Sequence, residues 1–577
     1  MPNEYPNRFN GLSEPARAYC VINTFFVMYR LFFFLILLAI AVLGIRYCMD
    51  NSAAAQNTDL YTLIPNDATY IIETEEPIAQ WRHFKDGRIW QALQANDYLA
   101  DIAAQLDELD ASLSQQEKAL SYVLKGDMLV SAHVTDNTYH YLYAIDIAQA
   151  AHLANIPPLL STFLESAGYN VTRETYRDQT IYHLLDPEAN TTLFVTFKGN
   201  ALIASYHLPL LKRATDTTLR PHFNTDTLLT ALRQTAQKGM ANVYINHAQL
   251  LELANCYAPT RQTPLAAVDD MLAMSGMDLA IENEFIELKG KSLINPKSQS
   301  YLKALLTVQK SDIRAHAILP ANTSFFTSVC FDDFKKFRAA LEQLQGKQPP
   351  PEAPDNVGDF IAQELSKALN KELPNWINHE IALGLVPKPA DSTQQAYIAV
   401  LPLGDKRDMV AEKLAKTLYI IDQLNPLQFL KNEGKRIYRD YRIIQLPVQG
   451  LLRSAGGDLF KDMGKPYMSL IGDFLVFCDD ETTLRYLIDQ YEEGNTLIAS
   501  PEYAQFFARF RPQASVFGYI QSHDFYPLLL SKLQPAKRES LIKNKDYWML
   551  FPHWGFQMLP DGTQYQTHLL TDFDAKP

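Results

Sequence analysis

The chain is poor in the features that announce chemistry. It has five cysteines in 577 residues, and no Cys-x-x-Cys pair. A disulfide scaffold or a zinc module needs clustered thiols, so both are excluded. Cys20 and Cys48 flank an apolar N-terminal run, and Cys256 stands far from the rest. Cys330 and Cys478 end apolar strand-like runs, Phe325 to Cys330 and Phe474 to Cys478, where a thiol acts as a small hydrophobe. Positive charge is not in excess: 52 Lys and Arg against 65 Asp and Glu leave a net charge of −13. A nucleic-acid partner needs a basic surface, and so does an anionic lipid surface as main ligand. Neither is expected. G-x-x-x-x-G-K-[ST], G-x-G-x-x-G, H-E-x-x-H and G-x-S-x-G do not occur. Ser300…Lys303 and Ser540…Lys543 match S-x-x-K, but about that many matches arise by chance, and neither has a second catalytic box. His133 and His140 bracket a strand turn, and His379-Glu380 opens a strand. A metal site needs three or four converging ligands with an ordered outer shell, so these read as polar strand edges. No catalytic residue, metal or cofactor is expected.

Long apolar runs are absent too, with one exception. Leu31 to Ile45 carries no charge. Fifteen residues fall short of the roughly 20 that cross hydrocarbon, but Val21 to Tyr29 is largely apolar and Arg30 can snorkel. Arg8, Arg17 and Arg30 lie on the near side, and only Arg46 precedes Arg82 on the far side. That bias places the N-terminus in the cytoplasm and the body outside. The reading is a single-pass signal anchor with the body outside the cytoplasm. A signal peptide cleaved near Ser52-Ala53-Ala54-Ala55 is the alternative.

What is present is a body written twice. Leu63-Ile64-Pro65-Asn66-Asp67-Ala68 returns as Ile318-Leu319-Pro320-Ala321-Asn322-Thr323. Tyr176-Arg177-Asp178 returns as Tyr438-Arg439-Asp440. Phe197 to Ile203, with Gly199-Asn200, returns as Ile471 to Val476, with Gly472-Asp473, and Ala241 to Asn246 returns as Val516 to Gln521. The order is kept while the offset drifts from 255 (Pro65 to Pro320) to 275 (Tyr244 to Tyr519). Such collinearity indicates two domains of one fold.

Each copy reads as a Pro-led strand (68–72; 324–329), a helical stretch (77–93; 331–344), a further helix (98–109; 357–369) and a pair of strands (128–134 with 139–145; 380–385 with 396–401). A long helix (147–167; 406–424) follows. Then come consecutive hairpins, with strands at 170–176, 180–185, 192–197 and 201–205 in the first copy and 436–440, 442–446, 467–471 and 474–478 in the second. A helix (207–215; 480–493) leads to a strand, a helix and a last hairpin. Gly-Asn, Gly-Asp and Pro560-Asp561-Gly562 tolerate positive φ and mark tight turns. Strands joined by such turns predict an antiparallel sheet with helices packed on one face, an α+β class. The divisions are a cytoplasmic segment 1–30, the anchor 31–49, a tether 50–60, a first repeat 61–296, a connector 297–316 and a second repeat 317–572. A Pro-rich insertion loop at 346–356 interrupts the second.

This combination resembles a family of uncharacterised bacterial proteins known as DUF3352, in a form like that of the Bacteroidota. The resemblance rests on the anchor followed by Leu63 to Ala68, on Glu73 to Trp81, and on Trp90 to Tyr98. It implies a membrane-tethered exported protein, and carries over no activity and no functional residue.

The most specific repeated feature is the pair Tyr176-Arg177-Asp178 and Tyr438-Arg439-Asp440. It reads either as a turn whose Asp and Arg bond locally or as a duplicated recognition site. Three functions stay open. A non-enzymatic envelope protein, docking other envelope proteins or acting as a scaffold, ranks first. A carrier or chaperone for a lipid or peptide comes second, and an unrecognised enzyme third.

Overall fold

The computed structural model describes residues 58–94, 126–147, 170–256, 271–345, 371–424, 436–446, Leu452 and 463–574, apart from positions 137, 188–189, 217, 219–220, 238, 390, 465 and 534. The expected anchor at Leu31–Ile45 lies outside these residues, as do the helices read at Tyr98–Leu109 and Val357–Leu369, all but the first residue of that at Ile147–Ala167, and the Pro-rich loop. Among the described residues no helix is long and apolar enough to cross a membrane.

Among the described residues twenty strands form one antiparallel sheet. In the first half they are β1 (Ala68–Thr74), β2 (Met128–Thr135), β3 (Thr138–Asp146), β4 (Asn170–Tyr176), β5 (Gln179–Asp186), β6 (Thr191–Lys198), β7 (Ala201–Ser205), β8 (Ala241–Asn246), β9 (Leu272–Ile281) and β10 (Phe285–Ile294). In the second half they are β11 (Phe325–Cys330), β12 (Glu380–Lys388), β13 (Asp391–Pro402), β14 (Arg436–Tyr438), β15 (Tyr441–Gln445), β16 (Tyr467–Ile471), β17 (Phe474–Cys478), β18 (Val516–Gln521), β19 (His553–Asp561) and β20 (Gln564–Asp572).

The first half runs β4-β5-β6-β7-β3-β2-β1-β8-β9-β10 across the sheet. The second half runs β14-β15-β16-β17-β13-β12-β11-β18-β19-β20. The orders correspond strand for strand. Matching residues also occupy matching places. Pro65 bridges to His222 as Pro320 bridges to Thr496. Tyr244 faces Ile71 as Tyr519 faces Phe326. Gly199 and Gly472 both turn at positive φ, 59° and 53°, a conformation that costs glycine nothing. The halves meet where β10 pairs with β20, from Phe285 opposite Asp572 to Leu293 opposite Gln564. Lys289 faces His568 at the centre of that ladder.

The helices used below are α1 (Pro77–Lys85), α2 (Leu208–Thr215), α3 (Thr227–Arg233), α4 (Phe334–Gln345), α5 (Arg407–Leu424), α6 (Glu481–Glu492) and α7 (Pro501–Phe507). Their starts follow from sequence. Asp226 accepts from the Leu228 and Leu229 amides, Asp480 from Thr483, and Ser500 from Tyr503, each satisfying donors that have no partner inside the helix. Period-two burial then splits the side chains of each strand. In the second half Ile381, Leu383, Leu475 and Phe477 pack with Phe334 and Phe337 of α4 and Val410 and Leu414 of α5. Their neighbours Ala382, Ile398, Val400 and Val476 pack instead with Leu484, Leu487 and Ile488 of α6 and Phe506 of α7. The expectation of helices on one face is therefore corrected: this half has helices on both. Its strands are apolar on both sides, the pattern of a sheet that has no wet face. In the first half α2 and α3 bury Leu210, Leu211, Leu229 and Leu232 on Ile71, Leu142 and Ile203. Each such fully buried side chain contributes about 1.5–3 kcal/mol.

Candidate functional site

The repeated Tyr-Arg-Asp segments form two hairpin tips. Arg177 sits at φ 53°, Arg439 at 46° and Asp440 at 69°, as tight hairpin turns require. Each arginine pairs with a carboxylate distant in sequence, not with a neighbour in the turn. Arg177 grips both oxygens of Asp216, just past α2, at 2.8 and 2.7 Å, and the Tyr176 hydroxyl donates to the same carboxylate at 3.2 Å. Arg439 reaches Asp489 within α6 at 2.8 Å, and Tyr438 donates to it at 2.9 and 2.8 Å. Lys212 lies over the Tyr176 ring and Arg485 over the Tyr438 ring, both at 5.0 Å. Burial alone would raise the Asp216 carboxyl, but hydrogen bonds from Thr218 and the Arg177 charge hold it below its ordinary value. Asp178 and Asp440 are exposed. Both tips thus clip a hairpin to the following helix and spend their donors internally.

A second constellation is buried in the first half. The Ser131 hydroxyl and His133 Nε2 lie 2.9 Å apart, and His133 Nδ1 lies 2.9 Å from Asp67. Arg213 of α2 pairs with the other oxygen of Asp67. Positions i and i+2 of β2 share one face, which brings serine to histidine. The chemistry is that of a nucleophile relay. Access is not: Ser131 and His133 are 0% exposed and Asp67 is 7%. A substrate carbonyl cannot reach the hydroxyl in this conformation. The corresponding positions of the second half are neutral. Asn322 stands where Asp67 does, Tyr486 where Arg213 does and Val386 where His133 does, and the Tyr486 hydroxyl donates to Asn322 at 3.0 Å. The shared element is a tie between the segment before the first strand and the following helix. Nearby, the rings of His140 and His207 stack at 3.9 Å. Burial, then its histidine neighbour, pushes His140 down to about 4.

A third feature lies at the join. A groove of about 770 Å³ has strands β9, β10, β20 and β19 as its floor. Two loops wall it, Thr235–Gln237 after α3 and Arg509–Arg511 after α7, with Gln80 and His83 of α1 also lining it. Asp278 accepts from the Gln237 amide at 2.9 Å, and Gln557 accepts from the Arg511 amide at 3.2 Å, so both walls are held by the strands beneath them. On the floor, Glu287 pairs with His568 at 2.8 Å and with Lys289 at 2.7 Å. Arg509 lies 4.3 Å over the Phe285 ring and 3.5 Å from Glu284. Lys291 and the Arg511 side chain make no ion pair among the described residues. Behind the floor a ladder of buried side chains stitches the halves together: His247 to Ser275 at 2.7 Å, Ser275 to Ser292 at 2.6 Å, Ser292 to Thr567 at 2.7 Å.

The weaker candidates disperse. His379 is exposed at the bend before β12, while Glu380, the first residue of that strand, is buried. Glu380 accepts from the Arg314 and Ala315 amides and the Ser328 hydroxyl, and burial pushes it up to about 7 against those bonds. Lys303 donates to the Pro296 carbonyl and not to Ser300. The Ser540 side chain lies outside the described residues. Among the described residues no group of three His, Cys, Asp or Glu is placed to hold a metal. Cys256, Cys330 and Cys478 are buried, and the Cys256 thiol donates to the Glu252 carbonyl at 3.5 Å. Sequence reasoning missed the groove and the relay. The only trace of the relay was the Ser131-x-His133 spacing.

A continuous antiparallel sheet with buried polar ties and a groove at its centre defines a class by architecture and not by reaction. The chain belongs to the family described as protein of unknown function (DUF3352), whose model matches residues 134–424. No curated protein matches it. Two solved structures, described as crystal forms III and IV of TP0453, are each 13% identical. The first covers 45% of this chain and 90% of that one at a TM-score of 0.22. The second covers 40% and 81% at 0.21. Likeness at that level defines no common fold.

Proposed function

We propose that this is a membrane-tethered exported protein of a bacterial cell envelope that works by binding other envelope proteins. In this reading the body is two copies of one unit, and residues 31–49 anchor it with the body in the periplasm. The corresponding strand orders support the duplication. The Arg8, Arg17 and Arg30 bias supports the orientation. The observation that carries the binding reading is the groove at the join, built by both copies and lined by two cations, Lys291 and Arg511, that have no carboxylate partner among the described residues. Both apolar faces of the second half and one of the first are filled by their own helices, which weighs against an apolar-ligand carrier at those faces. One observation favours an enzyme, the Ser131–His133–Asp67 relay, which would act only after β2 is uncovered.

The test is site-specific photocrosslinking of the full chain in its native membranes. A crosslinker at Gln566, exposed on the groove floor, is expected to give a discrete adduct that one at Lys336, exposed on α4, does not. The same adducts from both positions would overturn the binding reading. Turnover of ester or peptide substrates that Ser131→Ala abolishes would establish the enzyme instead.

A further inference from the structure

We propose that the groove at the join takes an acidic peptide segment in extended conformation, through Lys291 and Arg511. The inference deepens the binding reading above and rests on it. The chain as a whole is acidic, at −13, yet this groove carries Lys289, Lys291, Arg509 and Arg511 against Asp278, Glu282 and Glu287. Most of these charges are already engaged. Glu287 is shared between His568 and Lys289, Arg509 faces Glu284, and Asp278 accepts an amide. Glu282, just past β9, makes no ion pair among the described residues, and Lys291 is the unpaired cation on the floor. Its cross-strand neighbours are Gly276 and Gln566, neither of them charged. Arg511 is the exception on the wall, its backbone pinned by Gln557 while its guanidinium stays exposed. Two unneutralised cations against one unpaired carboxylate leave the groove short of negative charge at Lys291 and Arg511.

Geometry selects an extended ligand. A peptide in β conformation repeats its side chains on one face about every 7 Å, so alternate acidic residues all turn toward Lys291 and Arg511. The floor strands are paired on both edges, so the ligand is gripped by side chains and not by strand addition. A volume of about 770 Å³ suits several residues and far exceeds a single phosphate.

The probe is a fluorescein-labelled octapeptide of alternating Thr and Glu, with a Thr/Gln octapeptide as reference. Both are titrated by anisotropy against the full chain in detergent at low salt. The Glu peptide is expected to bind at least about tenfold tighter, with affinity falling as salt rises. Lys291→Gln with Arg511→Gln should erase that difference, and Lys336→Gln should leave it intact. Lys291→Glu with Arg511→Glu should transfer preference to a Thr/Lys octapeptide, a gain that misfolding cannot imitate. Equal binding of the Glu and Gln peptides overturns the proposal. So does equal competition by inorganic phosphate, which assigns the groove to small anions, and so does dimerisation of the chain blocked by the double substitution, which assigns it to a second copy. If the Gln566 adduct persists while the peptides fail, the ligand class falls and the binding reading stands. If both fail, both fall.

Discussion

Replacing Asp67 by alanine would strip the anion from a buried His133 and from Arg213 at once. Removing one partner of a buried charged pair typically costs about 3–5 kcal/mol. Arg213 keeps 20% exposure and can recover some water, which lowers the expectation to about 2–4 kcal/mol. The second half offers a neutral version of the same tie. Asp67→Asn, His133→Val and Arg213→Tyr together copy Asn322, Val386 and Tyr486, and leave the Ser131 hydroxyl without its histidine partner. One lost hydrogen bond costs about 1 kcal/mol, so the triple variant should lie within about 1–2 kcal/mol of the native protein. It should be more stable than Asp67→Ala although it changes three residues. Hydrogen exchange of the β1, β2 and α2 peptides measures this, since a loss of 2–4 kcal/mol is roughly a 30- to 1,000-fold loss of protection. Unchanged protection in Asp67→Ala would refute the tie. A triple variant no better than the single one would refute the correspondence between the halves.

Acid should destabilise the fold through buried histidines. Burial lowers His247 and His316 from 6.5 to about 4, so the unfolded chain binds protons first. Stability is present above about pH 6.5 and is lost as pH falls toward 4, by about 3 kcal/mol per group. Urea midpoints from pH 7.5 to 4.5 measure it, and His316→Asn should flatten the slope. Glu380 acts in the opposite sense. Its carboxyl is raised from 4.5 to about 7, so its contribution is complete below 4.5 and fades as pH rises through 7. Glu380→Gln should remove that dependence in the same titration. Arg177→Ala should cost about 1 kcal/mol or less, because the arginine is 54% exposed. Its effect should appear as faster exchange at the β4–β5 tip alone, with no loss in the crosslinking assay.

Much of the sheet was legible because its signals are local. Gly199-Asn200, Gly472-Asp473 and Asp561-Gly562 announce turns through positive φ, and strands such as β4, β7, β16 and β17 begin and end where they were read. Pro77–Leu93 was read as one helical stretch. It breaks into α1 and a helix at Arg88–Leu93, because the α1 C-cap falls at Asp86, followed by Gly87. Helices on both faces of the second half were not legible, since strands buried on two sides lose the alternation that tells one face from another.

The sequence by itself determined the antiparallel hairpins, the collinear repeats and the charge bias around Leu31–Ile45. Each depends on residues a few positions apart, or on matches that can be laid side by side. The tertiary structure alone decided what those elements bring together. Asp67 meets His133 and Arg213 across 66 and 146 positions, Arg177 meets Asp216 across 39, and Ser292 meets Thr567 across 275. The groove exists only because β10 lies against β20. Hydrogen bonds and ion pairs act over about 3–4 Å of space, and separation along the chain carries no record of which distant groups the fold will place within that reach.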